Sequence, residues 1–181
     1  MNASSDTPGP DVRTDLVDVY LFRRPAGGPT PLIELLQLRR AREPLAGHWM
    51  PVMGHAERGE PATDTARREA HEETGLDIDD ETLGFWCLEQ VNPYYLPELD
   101  AVFMTPRFVA EVRPGWEPVL NEEHSGVRWL RCSVAPIEEE RRGLLARWLW
   151  PGQREAVGEL LEHLAPPGGT ATGRAMAITR R

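Results

Sequence analysis

Glu69, Glu72 and Glu73 occupy positions i, i+3 and i+4 within the segment GHAERGEPATDTARREAHEETGL, residues 54–76. On a helix this spacing projects all three carboxylates from one face. Alone, the arrangement is unfavourable. Glu69 and Glu73 form a like-charge i, i+4 pair, which costs about 0.2–0.5 kcal/mol on an exposed helix. Glu72 and Glu73 also fall in the last turn, where the helix dipole disfavours an anion by about 0.3–1 kcal/mol each. Arg68 offsets part of this by pairing with Glu72 four residues on, in the weaker of the two orientations. A divalent cation reverses the balance, because hard ions such as Mg²⁺ or Mn²⁺ take carboxylate oxygens. Such a cluster can serve metal-assisted attack of water on a substrate that carries negative charge.

The residues around the cluster suit that purpose. Ala62, Ala66 and Ala70 form a small apolar stripe beside the carboxylates, so the helix can lie close against a sheet with the glutamates fringing the contact. Pro61 stands near the first turn, and Gly75 stands where a left-handed residue ends a helix. Upstream, Gly54 and Gly59 allow a tight loop whose carbonyls can reach a metal. Glu60 lies at the helix entry, where the dipole favours a carboxylate. A solvated acidic helix accounts for an isolated EAHEE stretch, but not for the whole spacing. The pattern runs Gly54, five residues, Glu60, seven residues, Arg68-Glu69, apolar Ala70, any residue, Glu72-Glu73, any residue, Gly75 and apolar Leu76. Matching every fixed position by chance is roughly a one-in-a-billion event per window. The segment resembles the Nudix box of the Nudix hydrolase family and matches it at every defining position.

That resemblance implies an α/β fold, an α/β/α sandwich around a mixed β-sheet, with a weaker likeness in element order over residues 15–164. It implies Mg²⁺- or Mn²⁺-dependent attack of water on the diphosphate linkage of a nucleoside-diphosphate-type substrate. Carried over residue by residue, it makes Glu69 and Glu73 direct metal ligands, with Glu72 completing the acidic cluster and Gly54 offering its carbonyl. Arg68 orients the glutamates by hydrogen bonding, and Glu60 is an outer member. Family members often add a carboxylate from a loop near the end of the sheet. Asn121-Glu122-Glu123-His124 resembles that loop, with Glu123 preferred to Glu122. Arg68, Glu69, Glu72 and Glu123 are thus the catalytic candidates, and which of Glu69, Glu72 or Glu123 takes the proton as general base stays open.

Substrate choice rests on other loops. Arg39, Arg40 and Arg42 follow an apolar run and form a basic cluster suited to phosphate; Trp49 is a stacking candidate with Trp86, Tyr94 and Tyr95. Arg39, Arg40 and Trp49 are therefore the expected substrate contacts. The loop after Gly54, the Asn121–His124 stretch and Trp150-Pro-Gly-Gln-Arg-Glu-Ala156 are loosely similar to the dihydroneopterin triphosphate and dATP pyrophosphohydrolases. This favours a nucleoside or pterin triphosphate cleaved to monophosphate and pyrophosphate. The alternatives are an ADP-sugar or dinucleoside-polyphosphate hydrolase and, further off, a nucleotide-sensing regulator without turnover. A regulator typically loses box glutamates, and this chain keeps them all.

The elements that must position these residues follow from pattern. The chain has 181 residues, 40% hydrophobic and 27% charged, with a formal net charge of −9. One domain is expected over residues 15–165, with loose arms at 1–14 and 166–181. Strands are expected at 16–22, 32–38, 49–53, 82–91, 100–112 (interrupted by Pro106) and 127–131. Helices are expected at 62–74 and from about 152 to 164, where Val157, Leu160, Leu161 and Leu164 share a face. Trp148 and Trp150 read as core or lid packing, and Cys87 and Cys132 as buried free thiols. An acidic chain lacks the basic footprint of a nucleic-acid binder. No apolar run reaches the ~20 residues of a membrane helix. The expected setting is cytoplasmic, and the expected partner a small phosphate-bearing molecule. A second copy of the chain is an open option, and no nucleic acid polymer or membrane is expected.

Overall fold

The computed structural model describes residues 9–25, 32–91, 93–134, 136–164 and 175–178. In chain order it has strands β1 (Asp11–Arg13), β2 (Leu16–Arg23), β3 (Leu32–Arg40), β4 (Trp49–Met50) and β5 (Val52–His55). Helices α1 (Ala62–Thr74) and α2 (Ile78–Glu81) follow, then β6 (Thr82–Leu88), β7 (Tyr94–Leu96), β8 (Ala101–Phe103), β9 (Arg107–Val112) and β10 (His124–Ser133). The chain ends with α3 (Glu138–Leu145), α4 (Pro151–Glu159), which runs on as a π-helical turn over Leu160–Leu164, and β11 (Ala175–Ala177).

The main sheet has the order β10-β3-β2-β9-β6-β11, with β4 hydrogen-bonded to β3 and β5 to β2. The β2–β9 pair is parallel and its other pairings are antiparallel, so the sheet is mixed. β2, β3 and β9 are buried along most of their length, as strands covered on both faces must be. Tyr20, Phe22, Ile33, Leu35 and Val109 pack on one side with Leu144 of α3, Trp148 and the apolar residues of α4. Val17, Val19, Leu21, Leu36, Leu38 and Phe108 pack on the other with Ala66 and Ala70 of α1. The result is the expected α/β/α sandwich. A second, three-stranded sheet, β1-β8-β7, lies beside it.

Differences from the sequence expectations have local causes. The single strand expected over 49–53 is two strands, because Pro51 has no N–H for a ladder: β4 pairs with β3 and β5 with β2. Pro106 likewise divides the expected 100–112 strand, and the two halves join different sheets. Residues 11–13 and 175–177, which lie in the stretches expected to be loose, form strands β1 and β11. Cys87 and Cys132 are free, as expected, but only half-buried, and burial raises both thiols, Cys132 to about 11. No helix among the described residues is long and apolar enough to cross a membrane.

Candidate active site

β5 delivers Gly54 to the face that α1 covers, where it meets Glu69. A Cβ built on Gly54 would fall well inside 3.0 Å of the Glu69 carboxyl carbon and of both its oxygens. Only a residue without a side chain lets that carboxylate rest against the strand. α1 is aimed by its alanines: Ala66 and Ala70 are fully buried against the sheet, so Glu69 and Glu73 on the neighbouring stripe are drawn into the contact. Gly75 ends the helix at φ 72°, its N–H donating to the carbonyl of His71.

Arg68 orders the entrance. Its Nε and Nη2 donate to the two carboxylate oxygens of Glu60, each at 3.0 Å. Nη1 donates to Glu69 at 2.8 Å and to Glu72 at 3.1 Å, and Nη2 also reaches the carbonyl of His55 at 2.8 Å. One planar guanidinium thus fixes the box loop and two of the three helical glutamates. The Arg68 pair, followed by the Glu57 amide, pulls the Glu60 carboxyl down to about 2. Burial dominates at Glu69 and raises its pKa despite Arg68, with Glu73 and Glu72 adding repulsion.

Glu73 is the deepest of the three. Burial raises its pKa, and nearby Glu123 pushes the same way against His124. His124 Nε2 stands 3.0 Å from Glu73 Oε2, within ion-pair reach, yet neither atom meets hydrogen-bond geometry. Glu123 is half-exposed and paired at 2.5 Å with Arg40 Nη1, while Arg42 pairs with Glu122 at 3.0 Å. Gly54, Glu69, Glu72, Glu73 and Glu123 therefore share one corner of the molecule. Among the described residues no three His, Cys, Asp or Glu side chains converge there as a closed ligand set. Arg68 holds Glu69 and Glu72, Arg40 holds Glu123, and Glu73 is turned to His124.

The expected substrate contacts divide. Arg40 pairs with Glu123 at the edge of the corner. Arg39, its neighbour in β3, makes a 3.4 Å contact to the carbonyl of Gly47. Trp49 carries the guanidinium of Arg128 over its ring at 4.3 Å. Sequence reasoning singles out neither Arg128 nor His124 as a functional partner. Strand alternation is a signal for Arg128, two residues from Gly126 on the same face. His124 closes the Asn121–His124 stretch that is picked out for its carboxylates, and its approach to Glu73 depends on long-range packing that spacing does not contain.

A family model for the NUDIX domain matches residues 10–149. The chain belongs to the Nudix family. As a Nudix hydrolase it is an enzyme acting on pyrophosphate linkages. Its curated relatives include a bis(5'-nucleosyl)-tetraphosphatase (asymmetrical) of Mus musculus, 31% identical over 102 residues, which span 54% of this chain and 67% of the relative. The Sus scrofa protein of the same name is 34% identical over 106 residues, 51% of this chain and 64% of its own. Among solved structures, a C. elegans Ap4A hydrolase binary complex superposes with TM-score 0.63 at 19% identity, covering 84% of this chain and 98% of the other. The E. coli dihydroneopterin triphosphate pyrophosphohydrolase gives 0.57 at 18% identity, covering 81% and 94%. At those identities the Nudix hydrolase shares the fold with both, and no more is carried across.

Proposed function

We propose that this Nudix hydrolase cleaves a phosphoanhydride within a nucleoside polyphosphate, with a dinucleoside polyphosphate as the preferred substrate class and Mg²⁺ or Mn²⁺ as cofactor. The observation that carries the reading is the corner itself: two buried carboxylates, Glu69 and Glu73, with Gly54 pressed against one and a buried oxygen of the other lacking a hydrogen bond. Buried carboxylates without full hydrogen bonding want a cation. Glu69, Glu73 and the Gly54 carbonyl would hold it, with Glu72 and Glu123 at the rim. A divalent ion there would lower the pKa of water and screen the attacked phosphate. Arg68 keeps the carboxylates in place, and the sheet wall beneath α1 keeps bulk water from their inner side. A rim carboxylate, Glu72 or Glu123, or the deeper Glu69, takes the proton from the attacking water.

The relatives named as tetraphosphatases support the dinucleoside reading. The triphosphate reading, which draws on Arg39 and Arg40, stands second, with Arg40 paired to Glu123. A phosphate-release panel of dinucleoside polyphosphates, nucleoside triphosphates and nucleotide sugars separates the two. Activity should vanish in excess chelator and return with Mg²⁺ or Mn²⁺. The same ions should raise the melting temperature of the wild type and not of Glu73→Gln, whose kcat should fall by several orders of magnitude. Turnover that persists in chelator would sink the proposal.

A further inference from the structure

Arg39, Arg128 and Arg147 gather at the same end of the sheet as Glu73 and Glu123, but on the opposite face, the one that α3 and α4 cover. β3 alternates its side chains, so Arg40 meets Glu123 on one side while Arg39 lies across from Gly126 on the other. Two residues along each strand, Arg128 stands opposite Gln37 and donates to its Oε1 from Nε at 2.9 Å and Nη2 at 2.6 Å. Gln37 Nε2 in turn donates to the carbonyl of Arg147 at 3.1 Å. Trp49 completes the group. A Cβ on Gly126 would stand 3.7 Å from both its ring and Arg39, so the indole crosses the glycine to lie under Arg128.

None of these three arginines has a carboxylate within 4.0 Å among the described residues, whereas Arg23, Arg24, Arg40, Arg42 and Arg131 each do. β3 itself shows the alternative: its Glu34 neutralises Arg23 and Arg131 together. At the fully buried position 37 the strand carries a neutral amide instead, which orients Arg128 and leaves its charge intact. Burial, and after it the neighbouring Arg147, both disfavour the charged form of Arg128. Gln37 holds the Arg128 guanidinium and the backbone carbonyl of Arg147, and like charges gathered without a carboxylate suit an anion that arrives from outside.

We propose that Arg39, Arg128 and Arg147, braced by Gln37 and Trp49, bind the outer phosphates of a chain of three or more phosphates whose inner linkage lies at the carboxylate corner. This rests on the hydrolase reading above and sharpens it: the shelf selects polyphosphate length. Arg39 and Arg40 are consecutive on β3 and project to opposite faces of the sheet, so a phosphate chain that engages both the shelf and the corner would pass around the end of that strand. A nucleotide sugar, with two phosphates, does not need the shelf.

Titration calorimetry with inorganic tripolyphosphate and pyrophosphate, in chelator so that no metal takes part, tests the proposal. Wild type should bind tripolyphosphate more tightly than pyrophosphate. Arg39→Ala and Arg147→Ala, both at exposed positions that leave the core untouched, should each weaken tripolyphosphate about tenfold or more. Arg128→Lys, which keeps the charge and loses the fork, should also weaken it. Arg113→Ala, on a distant loop, should leave it unchanged. If tripolyphosphate fails to bind wild type, or binds equally to Arg39→Ala and Arg147→Ala, the proposal is overturned. Selective tripolyphosphate binding by an enzyme that hydrolyses none of the nucleotides would support the shelf and refute the hydrolase reading separately. With an active enzyme, Arg39→Ala should raise KM for a tetraphosphate-bridged dinucleoside and leave KM for a nucleotide sugar unchanged.

Discussion

Gly54 is confined to glycine by a neighbour's side chain. Its φ is not in the left-handed region, so the backbone alone would accept alanine. The Glu69 carboxylate occupies the space where a methyl group would go. Gly54→Ala must therefore push Glu69 off the strand, breaking its 2.8 Å bond from Arg68 and moving a buried carboxylate of the corner. The expected result is a kcat lowered about 100-fold or more with unchanged far-ultraviolet circular dichroism, since displacements near 1 Å at a reacting centre cost rates of that order. An alanine variant with normal turnover would mean that Glu69 is not used where it stands. Glycine at 54 also shows how far the sequence can be read at this scale. The box spacing marks Gly54 as special and suggests its carbonyl as the reason. The steric demand of Glu69 is a tertiary fact that no spacing contains.

At the scale of elements, the helix that carries the carboxylates is legible because its signals agree: Pro61 at the entry, Gly75 at the exit and an alanine stripe between. The main strands are legible through their apolar runs. Short elements are not. β1, β7, β11 and α2 have three or four residues each, too few to show a period, and the partners of β1 and β11 are distant in sequence. α3 escapes sequence reading because Glu138 to Arg142 is all charged and only Leu144 of the helix is buried. β11 has a consequence. Ala175–Ala177 pairs antiparallel with β6, and Ile178 donates its N–H to the carbonyl of Phe85 and packs on the α1-side core. A chain ending at residue 168 should lose that strand and expose the β6 edge. Losing about 1–2 kcal/mol of such pairing and packing would lower the melting temperature by roughly 2–8 °C. Turnover should hold, because β11 lies at the far end of the sheet order from β3 and β10. A truncated protein with an unchanged melting temperature would mean that β11 contributes nothing to stability.

At the scale of the whole molecule, charge and burial make folding favour mild acid in the metal-free protein. The net charge of −9 repels itself more in the compact state than in the unfolded chain, and protonation relieves this. A specific site adds to the general effect. Asp18 lies in the centre of the sheet beside Arg107, its Oδ2 accepting from the Tyr20 hydroxyl at 3.1 Å while Oδ1 has no partner among the described residues. Burial raises its pKa from 3.8 to about 6, outweighing the opposing pull of Arg107 and the Tyr20 bond. Below pH 3.8 the carboxyl is protonated whether folded or not, and the penalty is absent. As pH rises from 3.8 to 6 the unfolded chain ionises first, so stability falls; above 6 both forms are ionised and the loss is complete. A rise of that size is worth at most about 3 kcal/mol. Glu69 and Glu73, whose pKa values are also raised, act with the same sign. Glu60, held at about 2 by Arg68, acts oppositely and only below pH 4.5. Denaturation midpoints of the metal-free protein should therefore be higher at about pH 4.5–5 than at about pH 7. Asp18→Asn, which cannot ionise, should flatten that difference by up to the same ~3 kcal/mol, whereas a neutralised surface carboxylate such as Glu122→Gln should shift both ends together. A slope identical in wild type and Asp18→Asn would assign the whole effect to net charge and remove Asp18 from the account.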